Sequence, residues 1–247
     1  MKKMISLVVA MLMLVTMAFP AFAVTLDSGD AIIAAEKAYE ALLEPEKEHL
    51  RNAGIYKMLA EAREKYNTLV TYKEAADEVV DAICALPSPA SVTKDNVDTV
   101  VAKIASAKAS YENLPDKTMV ADKYLEMLAD VEEACNVVKA DVAAAKSVDD
   151  LIAAIGTVSL ESLNKIETAE AAYDELSDMA QSYVTKKDVL DSARATYDKL
   201  KADQEAIDAV EDLIAAIGDV TLDSECLNTI AAAKDAYDAL DADLQPR

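Results

Sequence analysis

The single histidine of the chain, His49, lies in the segment "EPEKEHLRN" and follows Glu46 by three residues. A Glu-x-x-His pair on a helix is half of the ligand set of a dimetal helical bundle, which requires two such motifs. A second motif would need a second histidine, and the sequence has none. We therefore interpret His49 as a solvated loop residue and not as a metal ligand.

Other reactive groupings are equally unsupported by the residue spacing. The chain has 46 acidic residues, so neighbouring carboxylates follow from composition alone, and it has no tryptophan to line a sugar-binding cleft. The segment "LDSGDA" (26–31) lacks the twelve-residue ligand spacing of an EF-hand. Gly-rich phosphate loops and Gly-x-Ser-x-Gly motifs do not occur. We expect no catalytic residue, no cofactor-binding residue and no metal site, and hence no enzyme.

Two further patterns have a structural interpretation. "LPDKT" (114–118) resembles a sortase signal, but its threonine comes one residue late and no apolar tail follows, so we predict a turn between helices. Four tyrosines recur near a fixed period and could form an aromatic binding ladder. Because each occupies a core spacing with alanine and leucine, we favour boundary packing with a solvated hydroxyl. These tyrosines are Tyr39, Tyr111, Tyr173 and Tyr237.

The three cysteines, Cys84, Cys135 and Cys226, are scattered singly along the chain. An odd number without paired spacing does not indicate a disulfide framework. Cysteine is a common small buried residue, and we expect that role for all three, with their redox state left open.

The N-terminus has the pattern of a secretory signal peptide. Lys2 and Lys3 precede an apolar run, and Ala21-Phe22-Ala23 forms a small-x-small cleavage site. The apolar run is short for a membrane span, which needs roughly 20 residues. We predict cleavage after residue 23, export to the cell surface and no membrane span in the mature chain.

The mature chain is strongly acidic. Removing Lys2 and Lys3 with the signal changes the net charge from −22 to −24. Like-charge repulsion excludes nucleic acid and anionic lipid as partners. We interpret the charge as a source of solubility or of stiffening between repelling segments.

A helical repeat organises the mature sequence. The pattern Ile-x-x-Ala-x-x-x-Tyr-x-x-Leu occurs four times, and its spacings of three and four place all four residues on one helix face. The acidic residue after each tyrosine is expected to point away. The segment "VTLDS" precedes this tyrosine helix at 24–28 and again at 220–224. The four copies start at Ile32, Ile104, Ile166 and Ile230.

Flanking segments predict two more helices for each copy. A short apolar helix precedes the tyrosine helix, as in "DDLIAAIG" and "EDLIAAIG", and Gly156 and Gly218 are expected to end it in a left-handed conformation. In the joint that follows, Ser162, Ser224 or a neighbouring acidic residue is suited to cap the tyrosine helix. We also expect Leu160 or Leu222 to plug the end of the bundle, by packing its side chain against the core there. A polar break and a third helix come after the tyrosine helix.

The third helix and the next short helix form one continuous stretch without glycine or proline at 117–155 and 186–217. We predict continuous or gently kinked helices at the junctions between copies, although possible capping boxes at Thr71 with Glu74 and at Ser147 with Asp150 offer an alternative restart. The fold class is therefore all-α: tandem three-helix bundles joined by long helices in a spectrin-like elongated array. The expected divisions are a signal peptide (1–23), partial repeat 1 (24–73), repeat 2 (74–147), repeat 3 (148–206) and partial repeat 4 (207–247).

The sequence from "LIAAIGTVSLES" to "YVTKKDVLDSARATYDKL" resembles the three-helix spacer repeats of exported surface proteins of Firmicutes, particularly clostridia, and is similar in kind to FIVAR-type modules. The resemblance covers most of the mature chain, is strongest at 148–240, and weakens around "ICALPSPASVTK". It implies a stalk carrying other domains of a longer protein and no catalytic residue. Because the last repeat lacks a third helix, we expect the sequence to be a fragment of such a protein.

The leading functional hypothesis is a non-enzymatic extracellular spacer that presents other domains at a bacterial surface. The first alternative is an adhesin-type module that binds a host protein or a cell-wall glycan through an exposed helix face. The second is an accessory region of a secreted hydrolase. Outside the core the copies are interchangeable, since Lys108 and Lys234 stand where other copies have Glu36 and Glu170, and this favours the spacer.

Overall fold

The computed structural model describes residues 24–245, so the signal-peptide interpretation of residues 1–23 lies outside the described part. Every regular element among the described residues is helical, and the all-α prediction is confirmed. The α-helices are α1 (Gly29–Glu40), α2 (Glu44–Asn52), α3 (Ile55–Cys84), α4 (Val97–Glu112), α5 (Asp122–Ile155), α6 (Leu163–Asp174), α7 (Asp178–Tyr183), α8 (Lys187–Ala215) and α9 (Ser224–Asp238). The tyrosine helices are α1, α4, α6 and α9.

The predicted long helices α3, α5 and α8 are continuous. The two possible capping boxes do not restart a helix, because each hydroxyl bonds within it. Thr71 Oγ1 donates to the carbonyl of Asn67 at 3.1 Å, and Ser147 Oγ donates to the carbonyl of Ala143 at 3.1 Å. A Ser or Thr inside a helix makes this bond to the preceding turn instead of capping a new one.

Helix ends follow the predicted glycine positions. Gly156 and Gly218, with φ of +67° and +57°, end α5 and the last turn after α8 in the left-handed region, as the sequence predicts. Gly54, with φ of +76°, separates α2 from α3. L-residues pay a steric cost in this region, so glycine sets the boundary.

Two short helices were missed where the sequence predicts only a polar break. Residues Glu44–Asn52 form α2, so the interpretation of "EPEKEHLRN" as a loop is wrong. Pro45 lies in its first turn, where its missing N–H costs nothing, and Glu46 Oε2 accepts the backbone N–H of Leu43 at 3.1 Å. Residues Asp178–Tyr183 form α7, and its cap Ser177 accepts the N–H of Ala180 at 3.0 Å.

The described chain divides into two compact units between Asn136 and Val137. In the first unit α3 packs against α1, α2 and α4. One core cluster there joins α1 to the start of α3 through Ile32, Ala35 and Leu59. A second set of buried side chains lies on the end of α3, on α4 and on the start of α5. Its members include Ala76, Val79, Ile83, Val100, Ile104, Ala107, Leu128, Val131 and Cys135.

In the second unit α6 packs against α8, and α8 packs against α9. Its core cluster draws on three helices, namely the end of α5, α6 and the start of α8. The buried members are Val148, Ile152, Ile155, Ile166, Ala169, Leu190, Ala193 and Tyr197. The predicted inward face of the tyrosine helix is thus confirmed in this copy, since its isoleucine and alanine are fully buried.

Candidate functional site

One polar feature of residues 24–245, an interhelical ion pair, recurs in three copies. The position after the motif alanine on the tyrosine helix pairs with a residue on the following long helix. Glu36 accepts two hydrogen bonds from Arg63, one from Nε at 2.6 Å, and Glu170 accepts two from Arg194, one from Nε at 2.8 Å. Both partners are about one-third exposed or less.

The second copy carries the same pair with its charges exchanged. Lys108 on α4 donates to both carboxylate oxygens of Glu132 on α5, at 2.5 Å each. The spacing between partners is 24 residues here, as it is between Glu170 and Arg194. The two copies therefore have the same helix-to-helix contact, but the charges of the two partners are reversed.

A long-range cap fixes the start of α8. The Asp149 carboxylate on α5 accepts the backbone N–H of Thr185 at 3.0 Å, the Thr185 hydroxyl at 2.6 Å and the N–H of Lys186 at 2.9 Å. Burial alone raises the pKa of Asp149, but these hydrogen bonds outweigh it, so the pKa lies below its ordinary value. The hydrogen bonds to Arg194 likewise lower the pKa of Glu170.

The joint before the tyrosine helix buries a serine and not a leucine. The hydroxyls of Ser28 and Ser162 accept the backbone N–H of Thr25 and Ser159, at 3.0 and 2.9 Å. Leu160 is 43% exposed, so the prediction that it plugs the bundle end is wrong. A serine is tolerated in the interior because its hydrogen bond is satisfied there.

The fourth copy varies this joint. Cys226 takes the place of the buried serine, and its Sγ accepts the N–H of Thr221 at 3.4 Å. Leu222 is 94% exposed, so its predicted plugging role is also wrong. Asp223 caps α9 by accepting the N–H of Cys226 at 2.8 Å, which confirms the neighbouring acid as the cap and not Ser224.

The four repeated tyrosines are all partly buried at the edge of the helix packing. A lysine ammonium lies over three of the rings, Lys47 over Tyr39 at 5.9 Å, and Lys117 over Tyr111 and Lys187 over Tyr173 at 5.2 Å each. Each of these cation–π contacts joins the tyrosine helix to a segment that follows it in the chain. The acidic residues that follow the tyrosines, Glu40, Glu112, Asp174 and Asp238, are exposed as predicted.

His49 is an exposed residue of the last turn of α2. Glu46, its partner in the Glu-x-x-His pattern, caps the first turn of the same helix. Within residues 24–245, no group of three or more His, Cys, Asp or Glu residues is arranged to hold a metal ion. Asp27 of the "LDSGDA" segment belongs to a 3₁₀ turn that leads into α1.

The segment "LPDKT" forms the predicted turn between α4 and α5. Asp116 accepts the backbone N–H of Thr118 at 3.0 Å and so organises a 3₁₀ turn at Lys117–Met119. Among the cysteines, Cys135 and Cys226 are buried as expected. Cys84 is exposed, so its predicted burial is wrong. It is the last residue of α3, just beyond the buried Ile83.

A groove of about 640 Å³ lies between α1 and α3 in the first unit. The rings of Tyr39 and Tyr56 stand 4.8 Å apart on its wall, and Tyr56 is exposed. Its other lining residues include Arg63, Asn67 and three glutamates (Glu36, Glu40 and Glu64). Neither the sequence spacing nor a motif predicted this groove, because its two walls are separated along the chain.

Comparison with protein-family models, with curated proteins and with solved structures finds no match for this chain. None of the helices in residues 24–245 combines the length and apolar character that crossing a bilayer requires.

Proposed function

We propose that this chain is a non-enzymatic extracellular helical repeat region that spaces or presents other domains at a bacterial cell surface. The observation that carries the proposal is the interhelical ion pair with exchanged charges. Glu170 with Arg194 and Lys108 with Glu132 make the same helix-to-helix contact with opposite signs. A ligand site would require a fixed charge at this position, whereas a scaffold requires only that the two residues attract each other.

Export is part of the same proposal. The basic n-region, the apolar run and the Ala-x-Ala site at residues 1–23 support it. The mature charge of −24 suits a surface segment that must stay soluble and avoid anionic lipid.

The spacer proposal implies tandem three-helix bundles in an elongated array. The continuous helices α5 and α8 support it, because the array model requires unbroken helices at the junctions between copies. Electrostatic repulsion between acidic segments would add stiffness, and salt would reduce it by screening the charges.

Small-angle X-ray scattering on residues 24–247, at low and high salt, tests the spacer. We expect a maximum dimension far beyond that of a compact globule of the same length, with shrinkage at high salt. Ala202→Pro, at an exposed position of α8, should shorten the particle by breaking that helix, whereas Ala202→Ser should not. A compact globule at both salt concentrations would contradict the spacer function.

The groove between α1 and α3 favours a second function, the binding of a cell-wall glycan. The exposed ring of Tyr56 can stack on a sugar, and the carboxylate and amide groups beside it can form hydrogen bonds with the sugar hydroxyls. Sedimentation with purified cell-wall glycan tests it: Tyr56→Ala should abolish binding, and Tyr72→Ala on the same helix outside the groove should not. Unchanged binding in Tyr56→Ala, or no binding by the parent chain, would rule this function out.

A further inference from the structure

The long helix α3 packs against two tyrosine helices that have the same apolar motif. On its first half, which is the third helix of the first copy, Leu59 packs in one cluster with Ile32 and Ala35 of α1. Its second half buries Val79 and Ile83, and α4 packs against the same helix. Both α1 and α4 carry the isoleucine, alanine, tyrosine and leucine of the repeat. Apolar packing therefore does not determine which tyrosine helix takes which half of α3.

The connection between α3 and α4 is long enough for α4 to reach the place of α1. Leu59 and Val79 are 20 residues apart, which is roughly 30 Å along the helix axis. The 12 residues from 85 to 96 join α3 to α4 and can extend to about 40 Å. Connectivity thus permits an exchanged arrangement, with α4 in the place of α1. Exchanges between neighbouring copies are a characteristic way for repeat proteins to misfold.

Charge distinguishes the two tyrosine helices. In α1 the residue after the motif alanine is Glu36, and it accepts a hydrogen bond from Nε of Arg63 on α3 at 2.6 Å. The same position of α4 holds Lys108. In the place of α1, this lysine would face Arg63 and repel it. The reverse exchange would bring Glu36 to Glu132, the native partner of Lys108, and would also place like charges together.

Shape distinguishes the same two helices. Gly29 lies three residues before the motif isoleucine of α1, and a Cβ atom at this position would overlap the Tyr66 ring on α3. The corresponding residue of α4 is Val101. In the place of α1, the side chain of Val101 would therefore collide with Tyr66. The steric and the electrostatic difference act within one turn of α3, at Tyr66 and Arg63.

The charge after the motif alanine alternates along the whole repeat. Each third helix carries the charge opposite to that of its own tyrosine helix, and hence the same charge as the next tyrosine helix. The residues on the four tyrosine helices are, in order, Glu36, Lys108, Glu170 and Lys234. Their partners on the third helices of the first three copies are Arg63, Glu132 and Arg194.

We propose that this alternation, together with the Gly29–Tyr66 contact, assigns each tyrosine helix to its own third helix and keeps α4 out of the place of α1. The ion pairs are partly exposed, so each adds little to the stability of the native arrangement. Specificity depends instead on the difference between two arrangements, and a repulsive contact in the exchanged one increases that difference. The inference concerns folding and does not depend on the spacer function.

Spin labels on α3 and α4 report which arrangement forms. One label is attached to Cys84, at the exposed end of α3, and the other to a cysteine introduced by Ser110→Cys at an exposed position of α4. Cys135→Ala and Cys226→Ser in every variant remove the other thiols. The whole chain is refolded from urea, and pulsed electron paramagnetic resonance measures the distance between the labels. Because Cys84 and Leu59 lie at opposite ends of α3, the exchanged arrangement lengthens this distance by roughly 30 Å.

Exchanging the charges of the second copy tests the proposal. Lys108→Glu with Glu132→Arg keeps the native pair attractive but gives α4 the charge of α1, so that Arg63 attracts both helices. We expect the longer distance at about five times its fraction in the parent chain, because a repulsive contact has become attractive. Val101→Gly alone should also raise this fraction, because it removes the overlap with Tyr66.

Two controls separate the loss of alternation from a local effect of the substitutions. Lys108→Arg with Glu132→Asp keeps both signs and should match the parent chain. Adding Glu36→Lys with Arg63→Glu to the charge-exchanged chain gives neighbouring copies opposite signs again, since the acidic residues introduced at 63 and 108 repel each other. The fraction with the longer distance should then return to that of the parent chain.

Three outcomes would count against the proposal. An equal fraction of the longer distance in the parent and the charge-exchanged chain would overturn it. A fraction that stays raised after Glu36→Lys with Arg63→Glu would overturn it as well, because the alternation would not be the cause. An unchanged fraction in Val101→Gly would overturn its steric part.

Discussion

The different burial of Ile152 and Ile214 makes a quantitative prediction about stability. Both residues sit in the same hexapeptide, "LIAAIG", on the same unit. Replacing isoleucine by alanine removes three carbon atoms, each worth about 0.8 kcal/mol when fully buried. Ile152 is 1% exposed and belongs to the core cluster, so Ile152→Ala should lower the free energy of unfolding by about 2–4 kcal/mol, including the cavity.

The counterpart should behave differently. Ile214 is 53% exposed, so about half of the transfer free energy is at stake, roughly 1 kcal/mol. Alanine is also the better helix former by a few tenths of a kcal/mol, which offsets part of the loss. We therefore expect Ile214→Ala to cost less than about 1 kcal/mol.

Urea unfolding followed by far-UV circular dichroism measures both changes. The identical flanking residues serve as the internal control, because propensity and local sequence effects cancel between the two variants. The m-values should match that of the parent chain. Equal losses in the two variants would refute the reasoning, since Ile214 would then be as buried in solution as Ile152. A loss below 1 kcal/mol for Ile152→Ala would refute the packing of the core cluster.

Three further predictions concern the polar contacts and one helix end. Glu170→Lys should destabilise the chain by about 0.5–1 kcal/mol by repelling Arg194, and adding Arg194→Glu should restore more than half of the loss, as measured by urea unfolding. Asp149→Asn should reduce the loss of stability that the parent chain shows between about pH 5 and pH 2, as measured by thermal unfolding at each pH. Because the folded pKa of Asp149 is lowered, its contribution is full above the unfolded value near 4 and is lost as the pH falls through the folded value. Gly156→Ala should cost roughly 1 kcal/mol in urea unfolding, because φ is +67° and a methyl group there meets no neighbour, so that only backbone strain acts.

Each of these predictions has a matched control. For the ion pair, the control is Lys165→Glu, which changes the charge of α6 away from the pair and should change stability little. If the double variant Glu170→Lys with Arg194→Glu does not regain stability, the two charges cannot be exchanged at this contact. For Asp149, Asp150→Asn removes an exposed neighbouring carboxylate, and an equal flattening in both variants would contradict the capping role. For Gly156, the control is Ala154→Gly, the reverse substitution in the last turn of the same helix. If Gly156→Ala left the stability unchanged, the left-handed conformation at Gly156 would be contradicted.

Much of the fold was predictable because helices are local structures. The spacing of isoleucine, alanine, tyrosine and leucine placed the motif on one inward face, and the glycine positions placed the helix ends. The stretches without glycine or proline became the continuous helices α5 and α8. The short helices α2 and α7 were missed because their polar composition gives no apolar period, although Pro45 with Glu46 and the cap Ser177 were readable signals.

The candidate site was less predictable because its contacts join residues far apart in sequence. Aligning the copies shows that Lys108 stands where another copy has Glu170. The alignment does not show that these residues pair with Glu132 and Arg194, respectively. The plugging role assigned to Leu160 failed because the 3₁₀ turn directs this side chain to solvent and buries Ser162 instead. A hydroxyl with an internal hydrogen bond can be buried where hydropathy favours leucine.

The sequence by itself determined the helical class, the repeat and the acidic composition, because propensity, periodicity and charge are properties of short segments. Tertiary structure alone decided which copies of a segment are buried. The same "LIAAIG" holds a core isoleucine at 152 and an exposed one at 214. Burial depends on which helices pack over the segment, and a short segment does not encode the residues that pack against it.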